Sequence, residues 1–168
     1  MQFRLAEKQD LVKIIKMYKE VVKRLDANGI KIWDDSYPFA YFESDIENKQ
    51  FYVLVDNKKI ISAFALLKTH EGKNSMNWEN KDSKAFYLNR FAVDSNYLKK
   101  GIGSLMVSKA KEVAEEKGAD YLRLFVVTIN KPAIKFYEKN GFRKVEGILN
   151  TYLADDTVLY EYGYEMEL

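Results

Sequence analysis

Apolar positions in the first third of the chain follow first the period of a strand and then the period of a helix. Residues 2–5 are typical of a short strand. From Glu7 apolar residues recur every three or four positions, which predicts an amphipathic helix that ends at Asn28-Gly29. Pro38 suits the first turn of a second helix, which we expect to run to about Asn48.

The next segment predicts two strands joined by a hairpin and then a long polar loop. Residues 50–55 and 60–67 are rich in β-branched and aromatic side chains, and the polar residues 56–59 between them favour a tight turn. Residues 68–84 are almost entirely polar. A loop of that length is either functional or mobile.

The second half predicts a strand, a loop, a helix and a second strand. Residues 85–93 and 121–127 are the strands, and the helix between them has an apolar face that begins at Ile102 and a C-cap at Lys117-Gly118. A helical crossover of this kind joins parallel strands. Further predicted elements are a short helix at about 132–139 and strands near 142–147 and 157–166. The pattern predicts a single α/β domain over residues 1–168 with a mixed sheet.

Composition narrows the classes of protein that the chain can belong to. The net charge is only +2 and the pI about 8.5, which argues against a nucleic-acid-binding surface. The sequence has no cysteine, so it has no disulfide, thiolate metal site or cysteine nucleophile. The one histidine, His70, cannot form a metal site alone, and its polar surroundings predict a solvated loop residue.

The expected location is the cytoplasm, without a membrane partner. Residues 1–10 lack the apolar core of a signal peptide. The longest apolar run, residues 60–67, is much shorter than a membrane span.

Residues 97–106, YLKKGIGSLM, place two glycines and two lysines just before the predicted helix. The first amides of a helix lack partners and glycine permits close approach, so such a loop is suited to an anion. A nucleotide-hydrolase P-loop pattern is absent. The dinucleotide pattern Gly-x-Gly-x-x-Gly is met at Gly101 and Gly103 but fails at Met106, and Asp120 precedes the second strand instead of following it.

A third phosphate-binding pattern matches over residues 91–142. It combines Gln/Arg-x-x-Gly-x-Gly/Ala with a later Asn-x-x-Ala-x-x-x-Tyr-x-x-x-Gly-Phe. The second element is complete as Asn130, Ala133, Tyr137, Gly141 and Phe142. The first departs at its opening position, where Leu98 stands in place of Gln or Arg. On these motifs the chain resembles the GCN5-related N-acetyltransferase (GNAT) family.

The resemblance implies a GNAT-like acyl-CoA N-acyltransferase fold, with a central mixed β-sheet flanked by helices. Residues 85–147 would bind acetyl-CoA, whose pyrophosphate is the expected anion, and residues 1–84 would form the acceptor side. The implied cofactor-binding residues are Phe91, Ala92, Val93, Leu98, Lys99, Lys100, Gly101, Ile102, Gly103, Ser104, Asn130, Ala133 and Tyr137. For the two lysines a solvated pair is the alternative. For Asn130 the alternative is an ordinary helix N-cap, and this role is compatible with cofactor binding.

Acetyl transfer to an amine requires an uncharged amine, donors for the oxyanion and a proton for the leaving thiolate. Neutralising a lysine-like amine at pH 7 costs about 4.6 kcal/mol. The resemblance places Tyr137 near the sulfur as the proton donor; packing against the sheet is its structural alternative. The base is not identified, because Asn89 stands where some relatives carry a carboxylate. Carboxylates in the first helical pair, Asp34, Asp35 and Glu43, are possible substitutes, and surface solvation is the alternative for each.

The expected activity is direct N-acetylation of a primary amine on a small molecule or a peptide, without a covalent enzyme intermediate. Candidate acceptor residues are Trp33, Asp34, Tyr37, Trp78 and Asn89, for which core packing or solvation is the alternative. Two other functions stay open: a CoA-binding sensor without turnover, and a nicotinamide-dependent oxidoreductase. A homodimer is expected only by analogy.

Overall fold

The computed structural model describes residues 1–168, which form two compact units. Unit 1 comprises Met1–Leu66 and Arg90–Ser108, and unit 2 comprises Leu67–Asn89 and Lys109–Leu168. The helices are α1 (Leu11–Ala27), α2 (Phe42–Glu47), α3 (Ile102–Glu116) and α4 (Lys131–Lys139). The strands are β1 (Gln2–Leu5), β2 (Phe51–Asp56), β3 (Lys59–Leu67), β4 (Met76–Asn77), β5 (Ala85–Val93), β6 (Tyr121–Val127), β7 (Arg143–Lys144), β8 (Glu146–Gly147), β9 (Leu149–Tyr152) and β10 (Val158–Glu167).

Unit 1 is built on the predicted hairpin. Strand β2 pairs antiparallel with β1 on one side and β3 on the other, and β3 neighbours β5. The two turn residues, Asn57 and Lys58, both have positive φ, at 47° and 66°. Two successive left-handed residues are the signature of a type I′ turn, whose twist matches that of the flanking strands. The hairpin predicted from residues 50–67 is therefore confirmed.

Helix α1 covers the core of unit 1 with one apolar face. Its buried residues are Ile14, Met17, Tyr18 and Val21, spaced three or four apart as the sequence predicted. The Tyr18 ring lies 4.6 Å from that of Phe42, and both rings are fully buried. Because Phe42 is the first residue of α2, this contact fixes α2 beside α1. The second helix begins later than Pro38, since residues 39–41 form a 3-10 turn.

Unit 2 contains a mixed sheet. Strand β6 lies between β5 and β10; it runs parallel to β5 and antiparallel to β10, which also pairs with β7 and β9. The bounds of β5 and β6 are those predicted from the sequence. The parallel ladder joins Ala85–Tyr87 to Tyr121–Arg123 and does not extend to Leu88 and Asn89, although β6 continues to Val127. The parallel pairing therefore lies at the start of both strands.

The chain between α4 and β10 differs from the prediction. One strand was expected near 142–147, but residues 143–152 form three short strands, and β8 pairs with β4 in a separate two-stranded sheet. The break coincides with Gly147, whose φ is +124° and whose added Cβ would lie 2.5 Å from the Ser75 carbonyl oxygen. A close approach of two backbones at a glycine interrupts the strand.

Residues 68–84 form a packed segment, which the polar sequence did not indicate. Trp78 is only 4% exposed and packs with Met76 and Tyr87, and its indole N–H donates to the Lys73 carbonyl at 2.6 Å. His70 is half-buried and not solvated as expected, since its ring stacks on Phe125 at 4.3 Å. Aromatic contacts therefore hold this segment against unit 2.

A buried ion pair also anchors this segment. Arg123 and Glu165, on β6 and β10, lie 3.3 Å apart with side chains almost inaccessible to solvent. The Arg123 guanidinium donates to the Asn80 carbonyl at 2.7 Å, and Glu165 accepts from the Glu79 amide at 2.8 Å. The guanidinium also lies 4.6 Å from the Trp78 ring. Each charge is thus satisfied by the other and by the backbone of the segment.

None of the four helices combines the length and the apolar character that crossing a bilayer requires. The expectation of a single domain stays a prediction.

We expect Glu165→Ala to destabilise the protein by about 3–5 kcal/mol, because it leaves the Arg123 charge buried without its partner. Urea unfolding measures this loss. The control is Glu79→Ala, which removes the exposed partner of Arg143 and should cost less than about 1 kcal/mol. Equal losses in the two variants would contradict the assignment of Glu165 as the anchor.

Candidate active site

Strand β5 carries an irregularity at Arg90, the first of its residues in unit 1. Arg90 has φ +52° inside the strand, a left-handed conformation that disturbs the regular pleat and is rare for a bulky residue. The Tyr18 hydroxyl donates a hydrogen bond to the Arg90 carbonyl. Since Tyr18 is fully buried on α1, helix packing holds the strand in this conformation.

The Arg90 side chain is buried and paired. Its guanidinium donates to both carboxylate oxygens of Asp45 on α2, at 2.7 and 3.0 Å, and lies 4.7 Å from the Tyr41 ring. Burial disfavours the charge, but the Asp45 hydrogen bonds hold the pKa of Arg90 above its usual value. The sequence analysis missed this residue, because one arginine in a strand is ordinarily solvent-exposed.

The end of β5 is regular after Arg90. Phe91 and Val93 are half-buried, whereas Ala92 between them is buried, as expected when alternate residues of a strand lie on opposite faces of the sheet. The Ala92 carbonyl accepts from the Ser62 hydroxyl at 2.6 Å, and the Asp94 amide donates to the Ile61 carbonyl at 2.8 Å. The strand end is therefore fixed to β3.

Asp94 begins the turn into the glycine loop. Its carboxylate accepts from the Asn96 amide at 2.8 Å and pairs with Lys59 at 2.8 Å. Burial raises the pKa of Asp94, but Lys59 and the Asn96 amide outweigh burial and keep the pKa below its ordinary value. Asp94 therefore stays charged at neutral pH and holds the entrance of the loop.

The loop turns at two left-handed residues, Lys99 with φ +58° and Gly101 with φ +79°. A Cβ on Gly101 would meet no atom within 4 Å, so the space beside its backbone is open. The Leu105 amide makes a helical bond to the Gly101 carbonyl at 3.0 Å. The three amides before it, from Ile102 to Ser104, belong to the first turn, where N–H groups point out of the helix without helical partners.

The side chains around the loop are mostly solvent-exposed. Leu98 is 40% exposed, and Lys99 and Lys100 are exposed as well. The Lys100 ammonium lies 5.3 Å from the Tyr97 ring. Ile102 is buried, while Gly103 is half-buried and Ser104 is exposed. The loop thus presents main chain and cations, and the arrangement suits an anion.

Three of the predicted acceptor residues belong to unit 1 and lie near α1 and α2. Trp33 is half-buried, with its ring 5.6 Å from that of Tyr18, and Tyr37 lies 5.8 Å from the Arg90 guanidinium. Asp34 accepts the Ser36 and Tyr37 amides on Oδ1 at 2.8 and 2.7 Å, which makes it a turn residue. These three side chains lie around the same connection, between α1 and α2.

The other predicted residues belong to unit 2. Asn130 is the N-cap of α4, because its side-chain carbonyl accepts a hydrogen bond from the Ala133 amide at 3.3 Å. The N-cap role is therefore confirmed. Ala133 itself is half-buried. Asn89 is half-buried on β5, and Trp78 is buried in the cluster with Met76 and Tyr87. Their contacts with an acceptor stay predictions.

Tyr137 lies on α4 between two aromatic neighbours. Its ring is 5.3 Å from Phe136 and 5.7 Å from Phe142, both in edge-to-face arrangements. Burial raises the pKa of the Tyr137 hydroxyl well above its ordinary value. The phenol therefore keeps its proton across the physiological pH range, as a proton donor must.

The sequence is similar to those of known acetyltransferases. The Acetyltransferase (GNAT) family matches residues 15–142, more than half of the chain. YwnH of Bacillus subtilis strain 168, provisionally named a phosphinothricin acetyltransferase, is 26% identical over 84% of this chain and 83% of its own length. N-alpha-acetyltransferase 30 of Xenopus laevis is also 26% identical, over 88% of this chain, which spans only 52% of the frog protein.

Solved structures share the fold at lower identity. A GNAT-family acetyltransferase of Streptococcus agalactiae superposes with a TM-score of 0.83 at 17% identity, covering 99% of this chain and 95% of its own. The PaiA N-acetyltransferase of Thermoplasma acidophilum, solved in complex with coenzyme A, gives 0.72 at 19% identity, covering 99% and 98%. The predicted fold class, a mixed α/β fold with a central sheet flanked by helices, is thereby confirmed. The chain belongs to the acetyltransferase (GNAT) family and is an N-acetyltransferase.

Proposed function

We propose that the protein transfers an acetyl group from acetyl-CoA directly to a primary amine of a small molecule or a peptide. The observation that carries the proposal is the left-handed turn at Gly101, which opens α3 and leaves room beside its backbone. The family match and the coenzyme A bound to PaiA support the choice of cofactor.

The loop fits a pyrophosphate through its main chain. Each hydrogen bond from an amide to a charged oxygen contributes about 1.5–3 kcal/mol, whereas the helix dipole contributes about 0.3–1 kcal/mol. Several bonds from the stretch between Leu98 and Ser104 would therefore outweigh the dipole. Because the main chain makes most of the contacts, Leu98 in place of the family's Gln or Arg should cost little binding free energy. Lys99 and Lys100, both exposed, would assist through long-range attraction, which salt screens.

The end of β5 would hold the reacting end of the cofactor. We assign the main chain of Phe91, Ala92 and Val93 to the pantetheine and to the thioester carbonyl. Because Ser62 and Ile61 fix this segment, its amides are preorganised, which is what an oxyanion site requires. Asn130 and Ala133 at the start of α4 are assigned to the pantetheine side.

Tyr137 would donate its proton to the departing sulfur. A thiol has an ordinary pKa near 8.5, below that of this tyrosine, so the transfer becomes favourable only when the attacking nitrogen, which turns acidic as its bond to the carbonyl carbon forms, returns a proton to Tyr137. The sequence contains no cysteine that could carry the acetyl group, which supports direct attack by the amine.

The acceptor would bind beside the connection between α1 and α2. We assign Trp33 and Tyr37 to its walls and Asp34 to a cationic amine. Trp78 and Asn89 are further acceptor residues on the strength of the sequence alone. The cytoplasmic location expected from the sequence stays a prediction, as does the homodimer expected by analogy.

The experiment that tests the proposal is a panel of small and peptide amines assayed with acetyl-CoA, with coenzyme A and NAD compared by calorimetry. We expect coenzyme A to bind, NAD not to bind, and at least one amine to be acetylated. Tight binding of coenzyme A with no turnover on any amine would instead favour the non-catalytic sensor.

Gly101→Ala should weaken coenzyme A binding about 10- to 100-fold, because moving the strained turn sacrifices about one amide hydrogen bond. Calorimetry measures the affinity. Gly29→Ala is the matched control, since Gly29 has φ +73° and equally open surroundings at the end of α1. Both variants should lose about 1–2 kcal/mol of stability, but only Gly101→Ala should lose affinity. Equal affinities would remove the loop from the cofactor site.

Tyr137→Phe should lower kcat by about 10²–10⁴-fold while coenzyme A affinity is retained, because only the proton donor is lost. Steady-state kinetics and calorimetry together measure this. In the wild type, the raised pKa of Tyr137 predicts no loss of rate through tyrosine ionisation below about pH 10. A fully active Phe variant would assign Tyr137 to packing alone.

A further inference from the structure

Among the non-glycine residues with a positive φ, Arg90 is the one that lies inside a strand. The others are exposed and lie in turns or bends: Lys49, Asn57, Lys58, Lys99 and Asp156. An exposed turn can relax around a left-handed residue, whereas a buried strand cannot. The conformation of Arg90, which is buried, therefore has to be held by its surroundings.

Two contacts within unit 1 hold the backbone and the side chain of Arg90. The Tyr18 hydroxyl on α1 donates to its carbonyl, and the Asp45 carboxylate on α2 accepts from its guanidinium at two points, 2.7 and 3.0 Å apart. Both partners are buried. Because the carbonyl and the side chain are both fixed, the backbone between them cannot return to the extended conformation without breaking one of these contacts.

Stability alone does not explain this arrangement. A left-handed conformation is unfavourable for any residue with a Cβ, and glycine, which the chain uses at position 101, would avoid the cost. A buried ion pair contributes little net stability over a hydrophobic pair of similar volume. Arg4 and Asp10, also in unit 1, form the same kind of two-point pair at 2.6 and 3.0 Å, and Arg4 is not left-handed. The pairing therefore does not require the strain.

The strained residue directly precedes the segment that we assign to the thioester. A left-handed residue turns the peptide planes on its two sides, so it sets the direction of the Phe91 amide and of the strand that follows. Two residues after Arg90 the Ser62 hydroxyl already holds the Ala92 carbonyl at 2.6 Å. The direction of these amides is therefore decided at Arg90.

The same guanidinium also contacts the connection between α1 and α2. It lies 5.8 Å from the centre of the Tyr37 ring and 4.7 Å from that of Tyr41. These two rings contact each other edge-to-face at 5.5 Å, and Tyr37 is one of the residues assigned to the acceptor. One side chain thus touches the acceptor-side connection and fixes the start of the thioester segment.

We propose that Arg90 is a positioning residue for the acetyl transfer, an inference that rests on the function proposed above. Held by Asp45 and Tyr18, it aims the amides of residues 91–93 at the thioester carbonyl and keeps that carbonyl in register with the acceptor. Arg90 forms no covalent bond and moves no proton. Its contribution is geometric, because donors fixed in advance at the carbonyl oxygen stabilise the charge that develops there.

The test replaces the ion pair by apolar side chains in two ways, in the full chain and with an amine that the panel shows to be a substrate. Arg90→Met/Asp45→Leu fills the space, but the left-handed backbone loses its anchor while the Cβ remains. Arg90→Gly/Asp45→Leu leaves a cavity but permits that backbone at no steric cost. We expect kcat to fall about 10²-fold in the Met variant, as for a misplacement of about 1 Å. The Gly variant should be about tenfold faster than the Met variant, since a Cβ disfavours the left-handed region by about that factor.

The melting temperatures of the two variants should have the opposite order. The cavity and the flexible backbone make the Gly variant the less stable of the two. Activity that depends on the backbone conformation of residue 90 therefore runs against stability. Arg4→Met/Asp10→Leu is the matched control, because it removes a two-point pair from β1, which pairs with β2 and not with β5. It should leave kcat within about twofold of the wild type.

Infrared difference spectra of acetyl-CoA labelled with ¹³C at the carbonyl measure the positioning without turnover. Donors aimed at the carbonyl oxygen polarise the C=O bond and lower its stretching frequency. At saturating acetyl-CoA we expect the frequency to be lowered in the wild type and equally in the control. It should be lowered less in the Met variant, with the Gly variant between the two.

Arg90→Lys gives a second reading if a double variant fails to fold. The ammonium keeps a cation beside Asp45 but cannot form the two-point contact of a guanidinium. We expect a lower kcat and a smaller lowering of the carbonyl frequency than in the wild type. A Lys variant with wild-type kcat and wild-type frequency would contradict the inference.

The outcomes distinguish this inference from the proposed function. If the wild type neither binds acetyl-CoA nor acetylates any amine, both fail. If it acetylates an amine and the Met variant keeps kcat within about twofold and the wild-type carbonyl frequency, Arg90 is not a positioning residue although the enzyme assignment holds. If the rates instead follow the melting temperatures, with the Gly variant slowest, the role of Arg90 is structural and the inference is overturned.

Discussion

The constraint on which the rest of the structure depends is the buried ion pair between Arg90 and Asp45. Arg90 occupies a left-handed conformation in the middle of a strand, which its own side chain disfavours. A buried guanidinium without a partner would cost several kcal/mol, so the two-point contact with Asp45 is what makes the conformation tolerable. Together with the hydrogen bond from Tyr18, it ties α1, α2 and β5 at one residue. Tertiary contacts, and not the local backbone preference of an arginine, therefore hold Arg90 in its left-handed conformation.

The segment immediately after Arg90 is held rigidly as well. Ser62 and Ile61 bond the next residues to β3, and Lys59 holds Asp94 where the strand ends. Only then does the backbone enter the loop that turns at Gly101. Flexible loops bind anions poorly because ordering their amides costs entropy. A loop that starts from a fixed strand and ends in a fifteen-residue helix has most of that cost removed by folding.

The sequence was most informative where local rules act. The bounds of β5 and β6, the turn at residues 57–58 and the glycine-led start of α3 all result from strand pattern and turn chemistry. It was least informative where partners are distant in the chain. Asp45 and Arg90 are forty-five residues apart, and nothing local marks an arginine that will be buried. The polar segment 68–84 was predicted as a loop for the same reason, because Arg123 and Glu165, which anchor it, lie far along the chain.

A buried charge that is paired with an opposite charge and one that is bonded to a hydroxyl affect the fold differently. An ion pair such as Arg123 with Glu165 contributes little net stability over a hydrophobic pair, but it fixes which segments meet, since either charge alone would be costly. Glu161 on β10 is different: it is half-buried and accepts a hydrogen bond from the Thr151 hydroxyl of the neighbouring strand β9, so it joins strands that are already paired and brings no distant segments together.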